Sequence, residues 1–136
     1  MSTDPNNCIR LTAYNGQFYS PGYPYSYPNN AAVCWLITMP VSYYGVYLEF
    51  NYFDLEDCCD YVTVYDGASY SSNILLKADG SSRPYPVFSS SNYMLVTFTT
   101  DGSVVRTGFA ATYTLAGNTV PDRPSTWISE TPKDTE

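Results

Sequence analysis

Histidine is missing from this 136-residue chain. Its absence removes the commonest general base and the commonest zinc ligand, and with them any Ser-His-Asp set or Cys-His pair. Basic residues are scarce: Arg10, Lys77, Arg83, Arg106, Arg123 and Lys133 stand against 13 acids, for a net charge of −7. Phosphate binding needs clustered Lys and Arg, and these six are scattered, so nucleic acid is excluded as a partner. No apolar run approaches the ~18 residues that a spanning helix needs, so membrane insertion is not expected. Helical periodicity is almost absent, there is no internal repeat, and no Asn-x-Ser/Thr sequon occurs. No secretory leader is recognisable, and residues 1–7 read as an expression start placed before a mature domain.

What is present points to a small extracellular β-protein. Hydrophobic residues make up 44% of the chain, and Tyr alone contributes 15, beside ten Pro and four Cys. Such a composition supports one globular domain with a real core, and fits a secreted module. Strand signals recur along the chain. Residues 33–38 (VCWLIT) form a buried run that ends at Pro40. In 46–53 (VYLEFNYF), alternation puts Val46, Leu48, Phe50 and Tyr52 on one face. Val62 and Val64 align in 61–65 (YVTVY), which closes on the turn pair Asp66-Gly67. Met94, Val96 and Phe98 align in 93–99, as do Phe109, Ala111, Tyr113 and Leu115 in 109–115; residues 74–77 and 87–89 suit shorter strands. One buried and one wet face per strand, with turn residues between, predicts an all-β, antiparallel two-sheet β-sandwich. The expected inner face includes Phe50, Val62, Val64, Val96, Phe98, Phe109 and Tyr113. Residues 116–136 turn to Pro, Ser, Thr and acid, and read as a linker, or as an arm that docks through Trp127 and Ile128.

One segment stands out chemically. Residues 53–67 (FDLEDCCDYVTVYDG) carry Asp54, Glu56, Asp57, Asp60 and Asp66, no Lys or Arg, and two adjacent cysteines. Together with GQFYSPGYPYSYP (16–28), CWLI (34–37), VYLEF (46–50), SSSNYMLVTFTTDGS (89–103) and GFAATY (108–113), this order of motifs resembles the CUB domain of extracellular proteins, over residues 8–115. The resemblance implies a jelly-roll-like sandwich, an extracellular or secreted location, and a binding role. It also implies a Cys8–Cys34 disulfide that ties the N-terminal segment to the sheet. Family members usually carry a further cysteine where this chain has Asp79. Cys58 and Cys59 therefore lack the usual partner, which leaves a vicinal disulfide, two thiols, or a bridge to another chain.

In calcium-binding members, a Glu in F-D-x-E, an Asp before the next strand and an Asp in the penultimate loop hold one Ca²⁺. The matching residues here are Glu56, Asp60 and Asp101, with Gly102 and Ser103 as further donors and Tyr27 as the hydroxyl that fixes an acid ligand. Calcium favours six to eight hard oxygens, which such a set supplies. The family usually spaces the Glu and the first Asp further apart than the three residues found here, Asp57, Cys58 and Cys59. Asp54 is expected to serve the fold, and Asp66 to serve its turn. By resemblance, the same site would take a Lys of an extracellular partner, with Tyr27, Glu56 and Asp101 at the contact. Two other readings stand beside it. A glycan-binding module, as in the spermadhesin branch of the family, would use the aromatic faces of Tyr14, Tyr19, Tyr23, Tyr25 and Tyr27. A structural subunit would self-associate through the adjacent cysteines and the tail. Enzymatic activity is not expected, since the catalytic roles have no residues to fill them.

Overall fold

The computed structural model describes residues 7–41 and 44–117, and its elements are all strands. One five-stranded sheet has the order β1 (Ile9–Leu11), β3 (Ala32–Thr38), β8 (Tyr93–Thr99), β5 (Tyr61–Tyr65), β6 (Ile74–Ala78). A four-stranded sheet has the order β2 (Asn15–Tyr19), β9 (Gly108–Gly117), β4 (Tyr44–Asp54), β7 (Val87–Phe88). Their inner faces enclose a single core that includes all seven expected inner-face residues. Phe109 sits at its centre, with the rings of Phe18, Trp35, Phe50 and Phe98 5.4–6.0 Å away in edge-on arrangements. Such tilted pairs add to area burial because a positive ring edge meets a negative face.

Four features depart from simple alternation. β1 and β2 were not anticipated; both are short strands at sheet edges, and three residues of β1 are too few to show a period. β1 pairs with β3 in parallel (Ile9↔Trp35), so the sandwich is antiparallel except at that edge. In β4 a bulge at Asn51 shifts the register, so that Phe50 pairs Ala111 while Tyr52 pairs Ala110. Tyr52 is thereby turned out, at 40% exposed, and Phe53 takes the inward place. Finally, the outer face of the five-stranded sheet is not wet throughout. Leu36 and Leu95 lie there beneath the Cys8–Cys34 disulfide, with Tyr65 and Ala68 packed alongside.

Loops then set what each end of the sandwich presents. Asp66 does more than close its turn: its carboxylate accepts from the Ser90 N–H (2.7 Å) and Ser90 hydroxyl (2.8 Å). That joins the loop after β5 to the loop after β7. β9 continues to Gly117, two residues beyond the boundary expected from composition. The leader before residue 7 and the remainder of the tail, including Trp127 and Ile128, lie outside the described residues.

Candidate metal centre

Strand pairing alone assembles the site. Ala32 and Tyr61 both pair with Thr99, Asp54 pairs with Gly108, and Val62 pairs with Ala78. The start of β3, the end of β4, the start of β5, the ends of β6 and β8 and the start of β9 therefore meet at one end of the sandwich. Loops 20–31, 55–60, 79–80 and 100–107 converge there.

Tyr27 is the post on which these loops are hung. It is 1% exposed, with its ring edge-on to Phe98 at 5.0 Å. Its hydroxyl donates to Asp60 Oδ2 at 2.6 Å and accepts from the Glu56 N–H at 3.0 Å. Burial and the neighbouring Asp60 carboxylate push the phenol well above its ordinary pKa, so it keeps the proton it donates. The expected hydrogen bond from Tyr27 to an acid is thus present. A buried ring has no face to offer a partner, however, so Tyr27 acts from beneath the site rather than at its surface.

Asp60 is fully buried. Its second oxygen, Oδ1, accepts from the Asp101 N–H at 2.9 Å and couples loop 55–60 to loop 100–107. Asp101 in turn accepts from the Ser103 N–H at 3.2 Å through Oδ1, and its carbonyl accepts from the Asn30 N–H at 2.7 Å. Gly102 and Ser103 are exposed on this turn, and a side chain at Gly102 would meet Asn30 Oδ1 at 3.4 Å. The Thr100 hydroxyl completes the link, accepting from the Ala31 N–H (2.7 Å) and donating to the Pro28 carbonyl (3.0 Å).

The groups whose candidate ligand atoms lie within 4.8 Å of one another are Glu56, Cys59 and Asp101. Asp60 was expected third in that set; its oxygens instead face inward, to Tyr27 and the backbone of Asp101. Cys59 sits in its stead, but its sulfur is spent in a disulfide with Cys58 and offers no charge. Glu56 Oε1 is buried without any hydrogen-bond partner. Burial first, then the charges of Asp101 and Asp60, hold the Glu56 carboxyl above its ordinary range, and Arg106 opposes this only weakly. A shielded, unpartnered carboxylate oxygen beside a second carboxylate is costly unless a cation or a proton is supplied. The donor set of carboxylates and turn carbonyls suits a hard divalent ion.

The short connection between Glu56 and Asp60 is held by its own devices. Cys58 lies at φ +84°, a region ordinarily left to glycine, and is joined to Cys59. Its N–H donates to Asp79 Oδ2 at 2.7 Å, and its carbonyl accepts from the Tyr61 hydroxyl. Asp79 thus ties β6 to this loop from the position where a cysteine was expected, by a charge-assisted hydrogen bond in place of a covalent one. The Leu55 N–H, donating to the Gly80 carbonyl at 2.8 Å, adds a second tie. Asn30, Thr100 and the tethering role of Asp79 were missed by sequence reasoning. The only signals were turn pairs, Asn29-Asn30 and Asp79-Gly80, which mark a bend without naming what it holds.

Known proteins with similar chains give the arrangement a context. The family profile described as CUB domain matches residues 7–113. Embryonic protein UVS.2 of Xenopus laevis is 39% identical over 114 residues, covering 79% of this chain and 22% of that protein. Tolloid-like protein 2 of Mus musculus is 39% identical over 105 residues, covering 74% of this chain and 10% of that protein. The chain thus spans a small part of the length of these curated relatives. Among solved structures, the MASP-1 CUB2 domain bound to Ca²⁺ superposes with a TM-score of 0.69 at 25% identity, covering 78% of this chain and 96% of that one.

Proposed function

This chain belongs to the CUB domain family, and on that premise we propose that it is a calcium-dependent protein-binding module whose acidic end captures a basic side chain of its partner. The domain itself is a non-catalytic interaction module of extracellular proteins. The calcium reading rests above all on Glu56 Oε1, buried and unpartnered beside Asp101. Glu56 and Asp101 would hold the ion from two loops, with Asp60 beneath them and Gly102 and Ser103 on the turn that carries Asp101. The MASP-1 CUB2 domain, a structural relative, is described as bound to Ca²⁺. When bound, calcium would supply two positive charges that offset the repulsion among these acids. Glu56 and Asp101 would then each keep oxygen lone pairs for the ammonium of a partner lysine. One such exposed ion pair contributes only about 0–1 kcal/mol, so useful affinity would come from several modules acting together.

Calorimetry on the full chain and on Asp101→Ala tests this reading. Wild type should take up about one Ca²⁺ and gain thermal stability, by the mass action of a ligand that only the native state binds. Asp101→Ala should lose both effects, and Mg²⁺, which demands a small octahedral shell, should substitute poorly. No calcium heat and no thermal shift in wild type would overturn the reading.

A second reading, glycan binding, is favoured by a different observation. Tyr19 and Tyr23 stack at 5.4 Å, and Tyr52 lies 5.8 Å from Tyr23. With Tyr19 and Tyr52 both at least 40% exposed, this is an aromatic row on the surface of the four-stranded sheet. Glycan binding that persists in a chelator would support that reading. Assembly through interchain bridges at Cys58 or Cys59 is disfavoured, because the two sulfurs are bonded to each other.

A further inference from the structure

The Cys58–Cys59 disulfide sits inside the loop that separates two of the acids, with one residue between Cys58 and Glu56 and none between Cys59 and Asp60. Cys58 is exposed, whereas Cys8 and Cys34 are 8% and 2% exposed. A reductant therefore reaches the vicinal bond before the tether. Within the closed ring Cys58 lies at φ +84°, and in that backbone setting its N–H donates to Asp79 and its carbonyl accepts from the Tyr61 hydroxyl. Cys59 Sγ lies within 4.8 Å of the nearest oxygens of both Glu56 and Asp101. Redox state, loop backbone and acid spacing are thus physically one unit.

We infer that Cys58–Cys59 is a thiol-exchange site that controls the acidic centre: closed, the loop is set to bind calcium, and opened by a dithiol it is not. The inference rests on the calcium reading above. In the opening step, a thiolate of the dithiol attacks Cys58 Sγ, the S–S bond breaks, and Cys59 leaves and takes up a proton. The second thiol of the reagent then displaces Cys58, which is also protonated. Two electrons and two protons pass to the protein, and the reagent is left as its own disulfide. Opening the ring removes one restraint on position 58, where positive φ is disfavoured for an L-residue, and we expect it to relax to negative φ. Its N–H and carbonyl then turn away from Asp79 and Tyr61, and Glu56 is no longer held against Asp101. Because linked equilibria are reciprocal, calcium must resist reduction by the same factor by which reduction weakens calcium binding.

The test uses the full chain, calcium alone as ligand, and a water-soluble phosphine as reductant; the phosphine becomes its oxide with oxygen from water and delivers the same two electrons. Alkylation and peptide mapping establish which disulfide has opened. With Cys8–Cys34 intact and Cys58–Cys59 open, calorimetry should show calcium affinity weakened on the order of tenfold or more, as for ordinary coupled equilibria. In an equilibrated dithiol/disulfide buffer, the dithiol-to-disulfide ratio for half-opening should rise in saturating calcium by the same factor, and reoxidation should restore binding. A Cys58→Ala/Cys59→Ala variant should bind calcium as weakly as the reduced protein and be indifferent to phosphine, which keeps the question answerable should reduction spread to the tether. Equal affinity in the oxidised and opened forms, or in wild type and the double variant, overturns the inference while leaving the calcium reading intact. An oxidised wild type that binds no calcium overturns both.

Discussion

Replacing Tyr27 by Phe removes one oxygen and nothing else, at the point where three loops meet. The hydroxyl donates to Asp60 Oδ2 at 2.6 Å and accepts from the Glu56 N–H at 3.0 Å, on a residue 1% exposed. A hydrogen bond to a charged group contributes about 1.5–3 kcal/mol and a neutral one about 1 kcal/mol, so the expected loss is about 2.5–4 kcal/mol. The ring remains, its edge-on contact with Phe98 is kept, and no cavity larger than a hydroxyl opens, so packing adds little. For a domain of this size the loss amounts to about 10–16 °C in melting temperature, at roughly 4 °C per kcal/mol. Denaturant unfolding measures it directly, and the slope should be unchanged because the surface exposed on unfolding is the same. Asp60→Asn and the double variant complete a cycle whose coupling term should be at least about 1 kcal/mol, as for directly bonded groups. A loss under about 0.5 kcal/mol, or strict additivity with Asp60→Asn, would show that Asp60 is held by the Asp101 backbone alone.

Two further outcomes follow from the same contacts. In calcium-free buffer, the Glu56 carboxyl is held above its ordinary 4.5, so the native state binds that proton more tightly than the unfolded chain. Its contribution is fully present below the unfolded pKa and is lost as pH rises through the folded one; unfolding midpoints for wild type should therefore fall with rising pH relative to Glu56→Gln, and saturating calcium should reverse that difference. Cys8 and Cys34 are separated by 26 residues, so a Cys8→Ala/Cys34→Ala variant should lose about 3.5 kcal/mol on the chain-entropy account; a denaturant midpoint within error of wild type would refute the view that this bond restrains the unfolded chain.

The parts of the fold legible in sequence were those governed by period. β5 and β8 coincide with their apolar runs, and the inward places of Phe50, Phe98, Phe109 and Tyr113 follow from alternation, whereas Phe18 reaches Phe109 from the unanticipated β2. What escaped was set by partners remote in the chain. The inward place of Phe53 depends on a bulge at Asn51, where Asn51 Oδ1 accepts from the Thr112 hydroxyl at 2.6 Å; nothing in VYLEFNYF announces that the alternation slips. The acidic centre divides differently. That Glu56, Asp60 and Asp101 belong to one site came from the family resemblance alone, since no period in the sequence fixes the strand order that brings their loops to one end. Which oxygens face one another was not readable at all, because Tyr27 lies 33 residues from Asp60 and draws its carboxylate inward.

That division of labour bears on how a shortened loop can keep a site at all. A longer Glu-to-Asp connection could let both carboxylates swing outward to a metal. Here Asp60 is fixed by Tyr27 and by the Asp101 N–H, so the adjustment must come from Glu56, on the far side of the Cys58–Cys59 ring. The ring lies within the three-residue path between the two acids, and Asp79, where the family resemblance puts a cysteine, ties β6 to the loop with a hydrogen bond of 2.7 Å. A covalent link would hold β6 and this loop together whatever the loop's backbone did. A hydrogen bond to one N–H holds only while Cys58 keeps the backbone setting that aims it. On the inference drawn above, the tether through Asp79 is conditional on the state of the disulfide within the loop it restrains.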